Sequence, residues 1–161
     1  MNRLANVPTL VITGRRGAGK TTLIARLLDE RPASATWAVL VNERGAARIE
    51  SAPGVAVAEV AGGCPCCTAL LSLRVALTRL LREARPARLF VELNASSHVD
   101  ATLKVLSGPW LAPVLALGPV VEVVDRPRFG ATGAARTLIA ADELGRATLA
   151  VLYGTRVSEP R

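Results

Sequence analysis

Gly14-Arg15-Arg16-Gly17-Ala18-Gly19-Lys20-Thr21 is the stretch on which the fold turns. It satisfies G-x-x-x-x-G-K-[S/T] and sits between two elements of different period. Upstream, a β-rich run at residues 10–13 follows Pro8 and ends at Gly14. Downstream, Leu23, Ile24, Leu27 and Leu28 recur at helical spacing until Pro32 stops the segment. Glycines between a strand and a helix let the backbone curl until successive N–H groups face one centre, where the helix N-terminus adds partial positive charge. The spacing therefore predicts a phosphate cradle made by Gly14, Gly17, Ala18, Gly19, Lys20, Thr21 and Thr22. In it Lys20 reaches the β- and γ-phosphates and the Thr21 hydroxyl holds Mg²⁺. An ordinary glycine-rich turn would require neither this context nor a lysine, and Lys20 and Lys104 are the only lysines in the chain.

Outward from this loop, short apolar runs alternate with longer amphipathic ones. Residues 37–41 read as a second strand, 42–50 as a polar loop, and 55–60 as a short strand ending at Gly62 and Gly63. Leu70, Leu71, Leu73, Ala76, Leu77, Leu80 and Leu81 form an apolar stripe, with Arg74, Arg79, Arg82 and Glu83 on other faces, predicting a surface helix ended by Pro86. Residues 89–93 read as a strand, 99–106 as a helix, 107–119 as an irregular link, 120–124 as a strand, 134–144 as a helix and 149–152 as a last strand. Strands alternating with helices imply an α/β fold of three layers, the P-loop NTPase arrangement, with a mainly parallel sheet. No repeat or linker divides residues 1–161, so a single domain is expected.

Composition narrows the function classes. The chain has 161 residues, 50% of them hydrophobic and 20% charged, which favours a packed core over a solvated coil. No apolar run approaches the roughly 18 residues that span a bilayer, and residues 7–13 are too short for a signal-peptide core, so a cytoplasmic protein with no membrane partner is expected. The net charge of +7 comes from arginines scattered from Arg3 to Arg161, with only 3% aromatic residues. That pattern reads as general solvated charge rather than as a nucleic-acid surface, which would concentrate cations and add stacking aromatics.

Further chemistry lies at acids and thiols. Glu92 stands near the C-terminal end of an apolar strand, the sheet edge where ligands of α/β proteins bind. A carboxylate there is costly unless it is paired or near a cation, so Glu92 is a candidate Mg²⁺-site acid and, with Lys20 and Thr21, a candidate catalytic residue. A salt bridge to an arginine is the alternative. Glu43 and Glu50 lie on the loop after the second strand and are not distinctive by themselves. Gly62-Gly63-Cys64-Pro65-Cys66-Cys67-Thr68 places three cysteines within four positions before a helix. Cys64, Cys66 and Cys67 can converge on one soft metal ion, Zn²⁺ first, leaving a fourth tetrahedral position open. Cys64 and Cys67 also form C-x-x-C, so redox chemistry is a second reading, and inert buried cysteines a third. His98, the only histidine, reads as an exposed loop residue.

Together these motifs resemble those of the CobW-type GTPases, P-loop metallochaperones related to the nucleotide-binding proteins of urease and hydrogenase nickel insertion. The resemblance rests on residues 14–23, which match the family's G-x-x-G-A-G-K-T-T-L. It rests also on Val41-Asn42-Glu43-Arg44-Gly45-Ala46-Ala47-Arg48-Ile49-Glu50, similar to its first switch, and on Gly62 to Cys67, which match G-G-C-x-C-C. It implies GTP and Mg²⁺ as cofactors, with Glu50 at the position of the switch acid that ligates Mg²⁺. It also implies zinc or a similar transition metal on the three thiols, coupled to nucleotide state and delivered to a metal-requiring client protein. The sequence departs from the family where E-x-S/T-G becomes Glu92-Leu93-Asn94-Ala95, and where the guanine-reading N-K-x-D is replaced by Tyr153-Gly154-Thr155-Arg156. The chain then ends at Arg161, which reads as a C-terminal shortening of the fold. The leading expectation is a metallochaperone that hydrolyses GTP. The alternative is a degenerate, non-catalytic nucleotide- and metal-binding module without guanine specificity.

Overall fold

The computed structural model describes residues 6–42, 49–60, 67–93, 99–124, 140–141 and 147–152. In chain order the elements are β1 (Val7–Gly14), α1 (Lys20–Asp29), β2 (Trp37–Asn42), β3 (Val55–Glu59), α2 (Cys67–Ala84), β4 (Arg88–Leu93), α3 (Val99–Leu106), β5 (Leu115–Val124), β6 (Ala140–Ala141) and β7 (Ala147–Leu152). They build one seven-stranded sheet in the order β3-β2-β4-β1-β5-β7-β6. Every neighbouring pair is parallel except β6 with β7, so the mainly parallel α/β architecture expected from the alternation is the one observed.

Period-two alternation splits the core between the two faces. On β2, Ala38 and Leu40 belong to one cluster and Trp37 and Val39 to the other; on β4, Leu89, Val91 and Leu93 face the first and Phe90 the second. The first cluster is closed by α2 and α3 through Leu73, Leu77, Leu103 and Leu106, and the second by Ile24 of α1. Buried on both sides, the central strands read as near-continuous apolar runs, as parallel sheets do. Phe90 also meets Trp37 edge-on at 5.6 Å between ring centroids, and the Arg88 guanidinium lies 4.9 Å from the centre of the Trp37 ring.

Three expectations are corrected. The link at 107–119 is irregular only as far as Val114: β5 begins at Leu115 and runs through Gly118 and Pro119. A bulge makes this possible. Thr9 pairs with Leu117 and Val11 with Val120, so Gly118 and Pro119 together oppose Leu10, and the missing proline N–H falls where the ladder is already interrupted. The helix expected over 134–144 is contradicted at Ala140–Ala141, which pair antiparallel with Thr148 and Ala147; the sheet edge offers backbone partners that outweigh the helical preference of alanine. Finally, Leu71 is not part of the buried stripe of α2 but is 59% exposed. Among the described residues no helix is long and apolar enough to cross a membrane.

Candidate functional site

The site is built where β1 stops. Gly14 has φ +146°, and a Cβ there would lie 2.4 Å from the Val123 carbonyl oxygen, so β1 and β5 approach too closely at their exit for any side chain. Beyond it, the Ala18 N–H donates to the Arg15 carbonyl at 3.1 Å and closes the turn. Gly17, at φ +80°, is the opposite case from Gly14: an added Cβ would meet nothing within 4 Å, so its backbone conformation rather than crowding favours glycine. Helix α1 then starts at Lys20 with Gly19 as its N-cap. No side chain caps it and its first turn carries no acid. The N–H groups of the first helical turn, which have no intrahelical acceptors, are thus left to an anion, in the arrangement that binds phosphate at helix N-termini.

Lys20 is 3% exposed, a burial that an ammonium tolerates only with acceptors around it. Its Nζ donates to the carbonyls of Gly14 at 3.0 Å and Arg15 at 2.9 Å, which folds the side chain back across the loop. Next along the helix, the Thr21 Oγ1 donates to Glu92 Oε1 at 2.7 Å, a charge-assisted bond between groups 71 positions apart. Glu92 is buried at the C-terminal end of β4, in register with Ile12 of β1 and Val41 of β2. A hydroxyl and a carboxylate held together are hard oxygen donors of the kind Mg²⁺ selects, so this pair fits the ion expected there.

The structure therefore brings together Gly14, Gly17, Ala18, Gly19, Lys20, Thr21 and Glu92, with Thr22 exposed on the first turn of α1. Glu50 is exposed, whereas its neighbour Ile49 packs on the core cluster that contains Ile12 and Ala18. Glu43, Cys64, Cys66, Ala95, His98 and residues 153–156 lie outside the described residues, and Cys67 is described only as the first backbone position of α2. Among the described residues no group of three or more His, Cys, Asp and Glu is placed to hold a metal ion. Sequence reasoning missed a second feature, the exposed arginine face of α2 beside Trp110. Its signal was the three- and four-residue spacing of Arg74, Thr78, Arg82 and Arg85.

Residues 8–155 match the family described as CobW/HypB/UreG, nucleotide-binding domain. Among curated proteins, the chain is 38% identical over 125 residues to the zinc chaperone YeiR of Escherichia coli, an alignment covering 75% of this chain and 38% of that protein. It is 30% identical over 146 residues to the zinc chaperone CobW of Pseudomonas aeruginosa, covering 81% of this chain and 38% of that one. The chain thus spans well under half the length of these relatives. Among solved structures, that of the Zn(II)-bound YjiA GTPase from Escherichia coli superposes with a TM-score of 0.55 at 21% identity, covering 82% of this chain and 43% of that one, and so shares the fold.

Proposed function

From the premise that the chain belongs to the CobW/HypB/UreG nucleotide-binding domain family, we propose that it is a GTP-hydrolysing metallochaperone that carries zinc to a metal-requiring client protein. The observation that carries the reading is the assembly at the carboxyl edge of the sheet, where Lys20 crosses the phosphate loop and Thr21 is bonded to Glu92. On nucleotide binding, the N–H groups of Gly17, Gly19 and the first turn of α1 would take the phosphate oxygens, and the Lys20 ammonium would exchange its two loop carbonyls for them. Thr21 and Glu92, with Glu50 arriving from the segment before β3, would hold Mg²⁺, which when bound neutralises charge developing on the phosphoryl group. Localisation in the cytoplasm belongs to the same proposal.

Zinc is cargo in this scheme, held by Cys64, Cys66 and Cys67 with one tetrahedral position open for transfer. A path for coupling to the nucleotide is available at one strand. Val41 of β2 is in register with Glu92 on one side and Glu59 on the other, and its carbonyl accepts from the Val60 N–H at 2.8 Å. The end of β2 leads into the segment that resembles the first switch, and Val60 leads into the cysteines, so a movement at Glu92 reaches both. The relatives' description as zinc chaperones supports this cargo.

The test is Zn²⁺ affinity measured by competition with a chromophoric chelator, with and without Mg²⁺ and a non-hydrolysable GTP analogue. Wild-type protein should bind about one Zn²⁺ through thiolates. Its affinity should shift by about tenfold between nucleotide states, the size of a typical coupling. Cys66→Ser should lose the zinc, and Lys20→Ala should keep it but lose the shift. Zinc affinity indifferent to nucleotide in the wild type would overturn the proposal. Asn94-Ala95 and Tyr153-Gly154-Thr155-Arg156 favour a second reading, a non-catalytic binding module without base selectivity. Equal affinity for GTP and ATP together with no phosphate release would select it.

A further inference from the structure

The outer face of α2, on the opposite side of the sheet from the phosphate loop's helix, carries groups that neither core nor nucleotide uses. Leu71 and Val75, one turn apart, are 59% and 61% exposed, and Trp110, in the turn before β5, is 77% exposed. Between α2 and that turn runs a groove of about 540 Å³, with Arg74, Arg82 and Arg85 on one wall and Trp110, Leu111 and Val114 on the other. A second depression continues it along α2 past Leu71 and Val75, sharing Arg74, Thr78 and Arg82.

Both walls are fixed before any partner arrives. Arg74, Thr78 and Arg82 form one row of the helix surface at four-residue spacing. Arg85 follows at φ +44°, its N–H donating to the Leu81 carbonyl at 3.1 Å, so the helix ends with this side chain turned off its axis. Trp110 is presented by a turn in which the Leu111 and Ala112 N–H groups both donate to the Gly108 carbonyl, at 3.0 and 2.9 Å, while Leu111 itself is buried. On the same helix Arg79 pairs with Glu83 at 2.8 Å, and Glu83 borders the depression past Leu71 and Val75; among the described residues no ion pair engages Arg74, Arg82 or Arg85, and no carboxylate lines the groove beside Trp110.

We propose that this groove docks an acidic, amphipathic segment of a partner protein, its carboxylates on Arg74, Arg82 and Arg85 and an apolar side chain against Trp110. Charge complementarity selects that occupant. A second copy of this chain meeting the face across a two-fold axis would set arginine rows against each other, which costs affinity. A nucleic acid would find the cations but would leave the exposed Leu71 and Val75 uncovered, with one aromatic to stack on. Exposed tryptophan beside arginines is the composition of an interface hot spot. The inference stands on this face alone and does not depend on the nucleotide site.

The experiment pans a random peptide library, of about 16 residues to cover two or three helical turns and their flanks, on the folded chain. An enriched peptide is then titrated by fluorescence anisotropy against variants. The groove should enrich Asp- and Glu-rich peptides with aliphatic or aromatic anchors. Both Arg74→Glu/Arg82→Glu and Trp110→Ala should weaken the enriched peptide about tenfold or more, with affinity falling as salt rises. These positions are exposed, so the variants should keep the wild-type melting temperature, and Lys20→Ala should bind the peptide unchanged. Enrichment that ignores both variants, peptides without acids, or no enrichment would overturn the proposal. So would equal binding of a single-stranded oligonucleotide, or a self-association that Trp110→Ala abolishes.

Discussion

Two sets of cations stand on opposite faces of one sheet and are held in opposite ways. Lys20 is buried, fixed by two backbone carbonyls, and placed by a loop whose geometry only glycines permit. Arg74, Arg82 and Arg85 are exposed, the first two placed by helical period and the third by the turn that ends α2. A buried, pre-positioned charge is weakly screened and meets a ligand in one fixed geometry, whereas exposed charges act as a group and are screened by salt. The contrast assigns local chemistry to the first set and partner selection to the second.

The largest expected effect breaks the comparison on its buried side. Lys20→Ala should weaken GTP binding, followed by titration calorimetry, by about a hundredfold, as expected for removing one pre-positioned donor to a phosphoryl oxygen. Binding that survives would show the loop to be a structural turn. A smaller effect sharpens the same side: Glu92→Gln keeps the side chain's shape and an acceptor for Thr21 but removes the charge. GTP affinity should fall about tenfold, within the range for hydrogen bonds to charged groups, and should no longer improve when Mg²⁺ is added. The smallest expected effect is on the exposed side. Arg74→Glu/Arg82→Glu should change GTP affinity less than about twofold and stability by no more than about 0.5 kcal/mol in a denaturant titration, because it touches neither the core nor the loop. A loss of nucleotide binding in this variant would collapse the distinction.

The phosphate loop was legible in the sequence because its chemistry dictates residue types at fixed spacing, and its partner Glu92 because a carboxylate inside an apolar strand demands a reason. β5 was only half legible. Gly118 and Pro119 signal a break, and nothing in their identity tells a chain end of a strand from a bulge within one. The width of the buried stripe on α2 was overestimated at Leu71 since helical period tells which residues share a face but not how far the neighbouring elements reach across it. The arginine groove was read as background charge. Its two walls are separated by the whole of β4 and α3, and only the packing of α2 beside the turn at Trp110 brings them together. Glu50, assigned by resemblance to the Mg²⁺ site, is exposed in the folded chain.

The most direct measurement is a crystal structure of the protein grown with Mg²⁺ and a non-hydrolysable GTP analogue. Phosphate oxygens should lie on the N–H groups of Gly17, Gly19 and the first turn of α1, Lys20 Nζ should have moved from the Gly14 and Arg15 carbonyls to the β- and γ-phosphates, and Mg²⁺ should sit on Thr21. A nucleotide bound elsewhere, or Lys20 still held by both carbonyls beside a bound nucleotide, would contradict the proposal.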